Sequence, residues 1–173
     1  GASVAYSDIA EAVLGTLVPI VSDNFSKRYG RVGDGGMSII GMGKLGSKEM
    51  SFSSDLDLII VYNPYPLVES EESTKMHPST YFSRLTKELL LAVTAQMPDG
   101  YLYKIDMRLR PSGRKGPVAV SFSSFSNYQA SEAWTWEHLA LVRSRVVYGD
   151  PILSAKVQTV ITNAIKNSRN LST

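Results

Sequence analysis

The sequence predicts an α+β fold with a small mixed sheet flanked by helices, followed by helical additions. Three observations support this prediction. Apolar residues at helical spacing mark residues 7–29 as a helix, which Pro19 is expected to kink or divide. Two short apolar runs, residues 37–42 and 56–62, have the length of strands, and the second is apolar enough to be buried on both faces. Beyond residue 121 the pattern becomes helical.

The remaining elements follow in order along the chain. Residues 79–96 have an amphipathic helical pattern, and residues 101–111 (YLYKIDMRLRP) alternate apolar and charged side chains like a strand with one charged face. Asp150 and Pro151 suit the cap and the first turn of a last helix. The other expected elements are a strand at 117–120 and helices at 122–130, 132–147 and 151–166.

Composition excludes several classes of function. The 173 residues are 43% hydrophobic, which is enough for a proper core, and the net charge of +2 gives no bulk reason to expect nucleic-acid binding. The absence of cysteine excludes disulfides, thiol catalysis and thiolate zinc sites. We expect no membrane partner, because no apolar run has the length of a span and the first residues lack a basic-then-apolar signal. A cytoplasmic location is the default expectation.

The segment GMGKLGSK, residues 41–48, has three interpretations. Gly41, Gly43 and Gly46 match the dinucleotide-binding pattern G-x-G-x-x-G, but a new strand follows too soon for that motif. The Walker pattern nearly fits, except that Ser47 and Lys48 stand in the wrong order. A plain glycine hairpin is the third interpretation. Successive amides from residue 43 to 47 can also form an anion-binding nest.

Two aspartates change the balance between these interpretations. Asp55 and Asp57 open the second strand, so their side chains share a face with Cα atoms about 6.5–7 Å apart. Carboxylates this close repel each other unless a cation lies between them, and Mg²⁺ favours such oxygen ligands together with phosphate oxygens. The alternative is a solvated strand entrance. Asp106, on the charged face of the later strand, adds a third acid if the strands are neighbours, and Ser54 supplies a hydroxyl nearby.

Three sequence blocks together carry a family resemblance. GMGKLGSKEMSFSSDLDLIIVY, YKIDMRLRPSGRKGPVAV and EAWTWEHLALVRSRVVYGDP resemble, in order, the bacterial glutamine-synthetase adenylyltransferase/adenylyl-removing enzymes. The resemblance implies the nucleotidyltransferase fold, similar to DNA polymerase β. It also implies a long chain with two related halves: one transfers AMP from ATP to a tyrosine of glutamine synthetase, and the other removes it by phosphorolysis. The last block resembles the attaching, C-terminal half.

The resemblance also implies roles and partners. Asp55 and Asp57 would be metal ligands, Asp106 the third acid near the nucleophile, and Gly43, Gly46 and Ser47 contacts of the triphosphate. The implied cofactor is Mg²⁺, with ATP as substrate and glutamine synthetase as protein substrate. A nitrogen-regulatory signal protein would act through other parts of the full chain. Residues 1–121 would be the catalytic domain, and residues 122–173 the start of a truncated helical region.

Basic residues near the acids have two interpretations. Arg108 and Arg110 share a strand face with Asp106 and are candidates for phosphate contacts; alternatively, one of them pairs with an acid and holds the free site together. Lys44 is a weaker nucleotide-binding candidate, since exposed loop lysines are usually only solvated.

Aromatic and charged residues of the third block are expected to be mainly structural. Trp134 and Trp136 are predicted to be packing anchors between the helical tail and the sheet, with stacking on adenine as the alternative. His138 is expected to be structural. An ion-pair network and triphosphate contact both stay open for the three remaining charged residues, Glu137, Arg143 and Arg145.

Two classes of function therefore remain. The first is a Mg²⁺-dependent nucleotidyltransferase, with the adenylyl-removing half as the runner-up. The second is a regulatory nucleotide-binding module without chemistry of its own. The decisive geometric question is whether Asp106 lies on the same side of the sheet as Asp55 and Asp57.

Overall fold

A five-stranded mixed sheet organises the fold in this computed structural model, which describes residues 1–32, 36–63, 72–98 and 100–171. The central strand β1 is antiparallel to both β2 and β7. Along its other edge, β2 pairs in parallel with two short strands, β5 and β6. The strands of the sheet are β1 (Met37–Met42), β2 (Leu56–Tyr62), β5 (Ile105–Asp106), β6 (Val120–Ser121) and β7 (Arg145–Gly149), while β3 (Gln96–Met97) and β4 (Gly100–Tyr101) form a separate antiparallel pair.

Helices cover both faces of this sheet. They are α1 (Ala2–Tyr29), α2 (Gly43–Gly46), α3 (Pro78–Val93), α4 (Phe122–Ser131), α5 (Thr135–Leu141) and α6 (Pro151–Leu171). Side-chain alternation along β1 and β2 divides the core into two clusters. Ile39 and Ile60 face α1 and α3 in one cluster, and Ile40 and Ile59 face α4, α5 and α6 in the other. The predicted α+β architecture with a small mixed sheet is confirmed.

The strongest sequence signals gave the correct elements. Both apolar strands have the predicted bounds, and β2 is buried on both faces except at Asp57. Asp150 caps α6 as predicted, because its Oδ2 accepts a hydrogen bond from the Leu153 amide at 2.8 Å. The helix predicted from residue 79 begins at Pro78, capped by the His77 side chain, and ends at Val93.

Two predictions about elements are wrong, and a third holds only in part. The first helix is continuous from Ala2 to Tyr29, so Pro19 does not divide it. The strand predicted for residues 101–111 is reduced to β5, because Arg108 folds back onto Asp106 and ends the extended conformation. The helix predicted for residues 132–147 ends at Leu141. The chain then forms β7, which pairs with the free edge of β1 and buries Val147.

Helix α1 also corrects an expectation about membranes. By length and composition it is apolar enough to cross a membrane, although no run of this length was expected from the sequence. It also packs against the sheet: Ala10, Leu14, Val18 and Phe25 are buried in the core beneath α3 and the sheet. A core helix passes the same length-and-composition test, so this observation alone is weak evidence for a membrane span.

Candidate functional site

The three predicted acids lie near one another at one end of the sheet. β2 and β5 are parallel, with Asp57 directly opposite Asp106 in the register. Residues opposite each other on adjacent strands lie about 5 Å apart and project to the same face. Asp55 stands just before β2, is exposed, and lines an open cleft together with Asp106 and Arg108. Asp106 is therefore on the same side of the sheet as Asp57, as the three-acid hypothesis requires.

Asp57 is the unbalanced charge of the group. Within the described residues its carboxylate has no hydrogen-bond or ion-pair partner, and it lies half-buried on the face of Ile59. Burial raises the pKa of Asp57, and the nearby charges of Asp106 and Asp55 raise it further, against the opposing effect of Arg108 and Arg143. Because burial and like charges disfavour the ionised form of this carboxylate, a cation that binds beside it stabilises that form.

Asp106 has the opposite environment. The Arg108 side chain donates from Nε to Oδ1 at 3.0 Å and from Nη2 to Oδ2 at 2.6 Å, and the Arg108 amide donates to Oδ1 at 2.9 Å. The hydrogen bonds from the Arg108 side chain lower the pKa of Asp106, more than burial raises it. In the free protein Arg108 thus forms an ion pair with Asp106, which is one of the two interpretations left open by the sequence.

The glycine segment forms a tight turn, α2, against these acids. Gly43 has a φ of +52°, and a Cβ there would overlap Oδ2 of Asp57. A Cβ on Gly46 would overlap the backbone carbonyls of Arg143 and Gly41. The Ser47 amide closes the turn by donating to the Gly43 carbonyl at 3.1 Å. The glycines are therefore required because carboxylate and backbone approach closer than any side chain allows.

The other predicted nucleotide-binding residues differ in their surroundings. Lys44 is exposed at the turn. The Ser54 hydroxyl accepts from the Ser51 amide at 2.9 Å and braces the loop before β2. Arg110 donates to the carbonyls of Met107 at 2.8 Å and Gly116 at 3.1 Å, which fixes the turn after β5. Arg110 is thus engaged by backbone atoms, whereas Lys44 faces solvent.

Two arginines, one just after α5 and one in β7, reach the glycine turn, and for both the sequence left an ion-pair network and triphosphate contact open. Arg143 donates to Ser47 Oγ and to Glu49 Oε1, both at 3.2 Å. Arg145 donates to the carbonyls of Leu45 and Gly46 and pairs with Glu11 of α1 at 2.6 Å. The β-branched and aromatic run from residue 145 to 149 was the available signal for a strand here.

The third block contains one further correction. Trp134 and Trp136 are 72% and 58% exposed, so they are not packing anchors within this chain. Glu137 accepts from the Trp134 amide and the Tyr128 hydroxyl and so belongs to the start of α5, away from any pairing with the arginines. His138 donates from Nε2 to the Gln129 carbonyl at 2.8 Å, the structural role expected for it.

The acids suit Mg²⁺ in chemistry, although they do not form a preassembled cage. Among the described residues, no three acidic or histidine side chains are grouped closely enough to hold a metal ion by themselves. The ion pair between Asp106 and Arg108 occupies one of the three carboxylates. Asp57 and Asp55 still present carboxylate oxygens, and Mg²⁺ binds through one or two carboxylates with water and phosphate completing its shell. The donor set therefore fits the implied ion.

Comparison with known proteins identifies the family. The model of the glutamate-ammonia ligase adenylyltransferase family matches residues 2–160. A bifunctional glutamine synthetase adenylyltransferase/adenylyl-removing enzyme of Rhodopseudomonas palustris is 45% identical over 98% of this chain, and one of Bradyrhizobium diazoefficiens is 45% identical over 99%. The chain spans 17% of the length of each of these relatives. By the extent of these matches, the chain belongs to the glutamate-ammonia ligase adenylyltransferase family.

Proposed function

We propose that this chain forms a nucleotidyltransferase site of the DNA-polymerase-β type, which transfers AMP from ATP to a tyrosine hydroxyl of glutamine synthetase. The observation that carries the proposal is the direct register of Asp57 with Asp106, with Gly43 packed against the Asp57 carboxylate. Acids and a glycine turn in contact would allow a metal and a phosphate chain to bind side by side. The names of the relatives supply adenylyl transfer and glutamine synthetase as the protein substrate, and the family resemblance implies ATP as the donor and a tyrosine as the acceptor.

The chain's own residues suit each part of this reaction. The tyrosine oxygen attacks the α-phosphorus, the bond to the β-phosphate oxygen breaks, and pyrophosphate leaves. The acids at the ends of β2 and β5 would accept the proton that the hydroxyl loses, while Gly43, Gly46 and Ser47 would form the surface for the phosphates. When bound, Mg²⁺ would be held by Asp57 and Asp55 and would stabilise the charge that develops on the phosphates. Asp106 joins them if Arg108 releases it.

The test compares acid variants with a matched control. Asp55→Asn or Asp57→Asn in the full-length protein is expected to lower AMP transfer from ATP to glutamine synthetase by at least about 100-fold, since charge stabilisation at such sites is worth this much or more. Asp23→Asn makes the same chemical change on α1, where Asp23 pairs with Lys27 and Arg31, and should leave activity unchanged. Near-normal labelling of glutamine synthetase by the Asp57 variant would refute the proposal.

A second candidate is the removal of AMP by phosphorolysis. The bifunctional names of the relatives favour it as the runner-up, because both reactions occur in those proteins and this chain matches only part of their length. The chain should be incubated with unmodified glutamine synthetase and ATP, and separately with adenylylated glutamine synthetase and phosphate. Turnover in the first mixture alone supports attachment. Turnover in the second alone supports removal, and ATP binding that ignores Mg²⁺ without turnover supports a regulatory module.

A further inference from the structure

Arg143 reaches over the glycine turn from a fixed backbone position. Its carbonyl packs against Gly46 so closely that no Cβ fits between them, which fixes the main chain of Arg143 relative to the turn. Its guanidinium extends beyond this contact to Ser47 Oγ and Glu49 Oε1 and is 49% exposed. The structure therefore fixes the backbone of Arg143 and leaves its guanidinium accessible to solvent.

The other arginines around the site are more firmly engaged. Arg108 makes several hydrogen bonds to the Asp106 carboxylate. Arg110 is held by backbone carbonyls, and Arg145 by two carbonyls and the half-buried Glu11. The partners of Arg143 are a neutral hydroxyl and a carboxylate that is 63% exposed. Exposed pairs of this kind contribute little to stability, so Arg143 can exchange its partner at small cost.

The charge of Arg143 is also felt at the acids. It opposes the rise in the pKa of Asp57. Arg143 contacts, at Ser47 and Gly46, the same turn whose Gly43 packs against the Asp57 carboxylate. A guanidinium fork in this place matches the oxygens of a phosphate chain.

We propose that Arg143 binds the β- and γ-phosphates of a nucleoside triphosphate, and that Glu49 holds Arg143 beside Ser47 until the nucleotide replaces it. This inference rests on the proposed function. It adds Arg143 as a phosphate ligand and a competition between Glu49 and the phosphates for that ligand. Because Glu49 and the phosphates compete for one cation, removing Arg143 and removing the charge of Glu49 have opposite effects on nucleotide affinity.

The test is calorimetric titration of the 173-residue chain with ATP and with AMP in the presence of Mg²⁺. Arg143→Ala is expected to weaken ATP binding about 10- to 100-fold, because charged hydrogen bonds are lost, and to leave AMP binding unchanged. Glu49→Gln is expected to tighten ATP binding about two- to fivefold, the scale of an exposed ion pair. When Glu49→Gln is combined with Arg143→Ala, this gain in ATP affinity should disappear, since there is then no guanidinium for Glu49 and the phosphates to compete for.

Arg28→Ala is the matched control. Arg28 pairs with Glu88 on the surface between α1 and α3, and its removal should change neither affinity. Equal ATP affinity of wild type and Arg143→Ala, or a gain from Glu49→Gln that persists without Arg143, would overturn the inference alone. If wild type bound no ATP, the proposed function would fail together with it. Should Arg143→Ala unfold in thermal melts, Glu49→Gln and Arg143→Lys still decide, since Arg143→Lys keeps a long charged side chain and removes only the guanidinium fork.

Discussion

Asp57 and Asp106 stand opposite each other on adjacent parallel strands, yet the fold treats them in opposite ways. Asp57 lies against Gly43, lacks a partner among the described residues and has a raised pKa. Asp106 is held by Arg108 and has a lowered pKa. The Asp57 carboxylate is therefore open to a ligand, whereas the Asp106 carboxylate stabilises the free protein through its ion pair. Such unbalanced carboxylates are typical of functional sites.

The largest expected difference in activity is between substitutions at two glycines, one beside Asp57 and one beside Arg108. Gly43→Ala and Gly113→Ala place a side chain at nearly the same backbone angle, φ +52° and +55°. Both should lose about 1–2 kcal/mol of stability through left-handed strain. Only the Cβ at residue 43 overlaps a carboxylate, because the nearest atom at residue 113 is the Arg108 carbonyl at 3.6 Å.

The measurement is AMP-transfer activity together with thermal unfolding of each glycine variant. Gly43→Ala should lose at least about 100-fold in activity, since it displaces the Asp57 carboxylate. Gly113→Ala should keep activity near the wild-type rate despite its similar strain. Equal activity losses would mean that strain in the two turns, and not displacement of Asp57, controls the rate.

Replacing Asp57 by asparagine and replacing Asp106 by asparagine should change the stability of the protein in opposite directions. Asp57→Asn is expected to raise the melting temperature at pH 7 by a few degrees, since it removes a half-buried charge without a partner. Asp106→Asn is expected to lower it by a similar amount, since it weakens the hydrogen bonds with Arg108. Differential scanning calorimetry of the two variants decides, and a shift in the same direction for both would contradict the contrast.

The pH dependence of stability should follow from the sign of the Asp57 shift. The folded pKa of Asp57 is raised above its unfolded value, so between the two values the folded state binds more protons. The contribution of Asp57 to stability therefore falls as pH rises from the unfolded pKa through the folded one. Subtracting the stability curve of Asp57→Asn from that of wild type isolates this contribution. A difference that increases with pH in this window would be the wrong sign.

The smallest expected effect tests the dependence of Asp106 on Arg108. Arg108→Gln removes the cation whose hydrogen bonds lower the pKa of Asp106, so that pKa should rise toward its usual range. In wild type the low pKa contributes stability above the unfolded pKa, and this contribution is lost as pH falls through the folded value. Carboxyl NMR titration of Asp106 measures the change. An unchanged pKa in the variant would show that Arg108 is not its cause.

The success of prediction depended on the range of the interactions. β1 and β2 were predicted with their bounds because their burial requires continuous apolar runs. Residues 101–111 alternate like a strand, yet a local ion pair between Arg108 and Asp106 ends the strand after two residues. β7 was missed because α5 and β7 lie in one segment with helix-compatible spacing, and only the open edge of β1 selects a strand.

By itself, the sequence determined the family and the two central strands and predicted the three acids as site residues, because these depend on local pattern and residue chemistry. The tertiary structure alone decided which acid pairs with an arginine and which has no partner among the described residues. It also brought Arg143 and Arg145, about a hundred residues along the chain, onto the glycine turn. The physical reason is that pKa shifts and ion pairs depend on distance and burial, which arise only when β2, β5 and β7 take their places beside one another in the sheet.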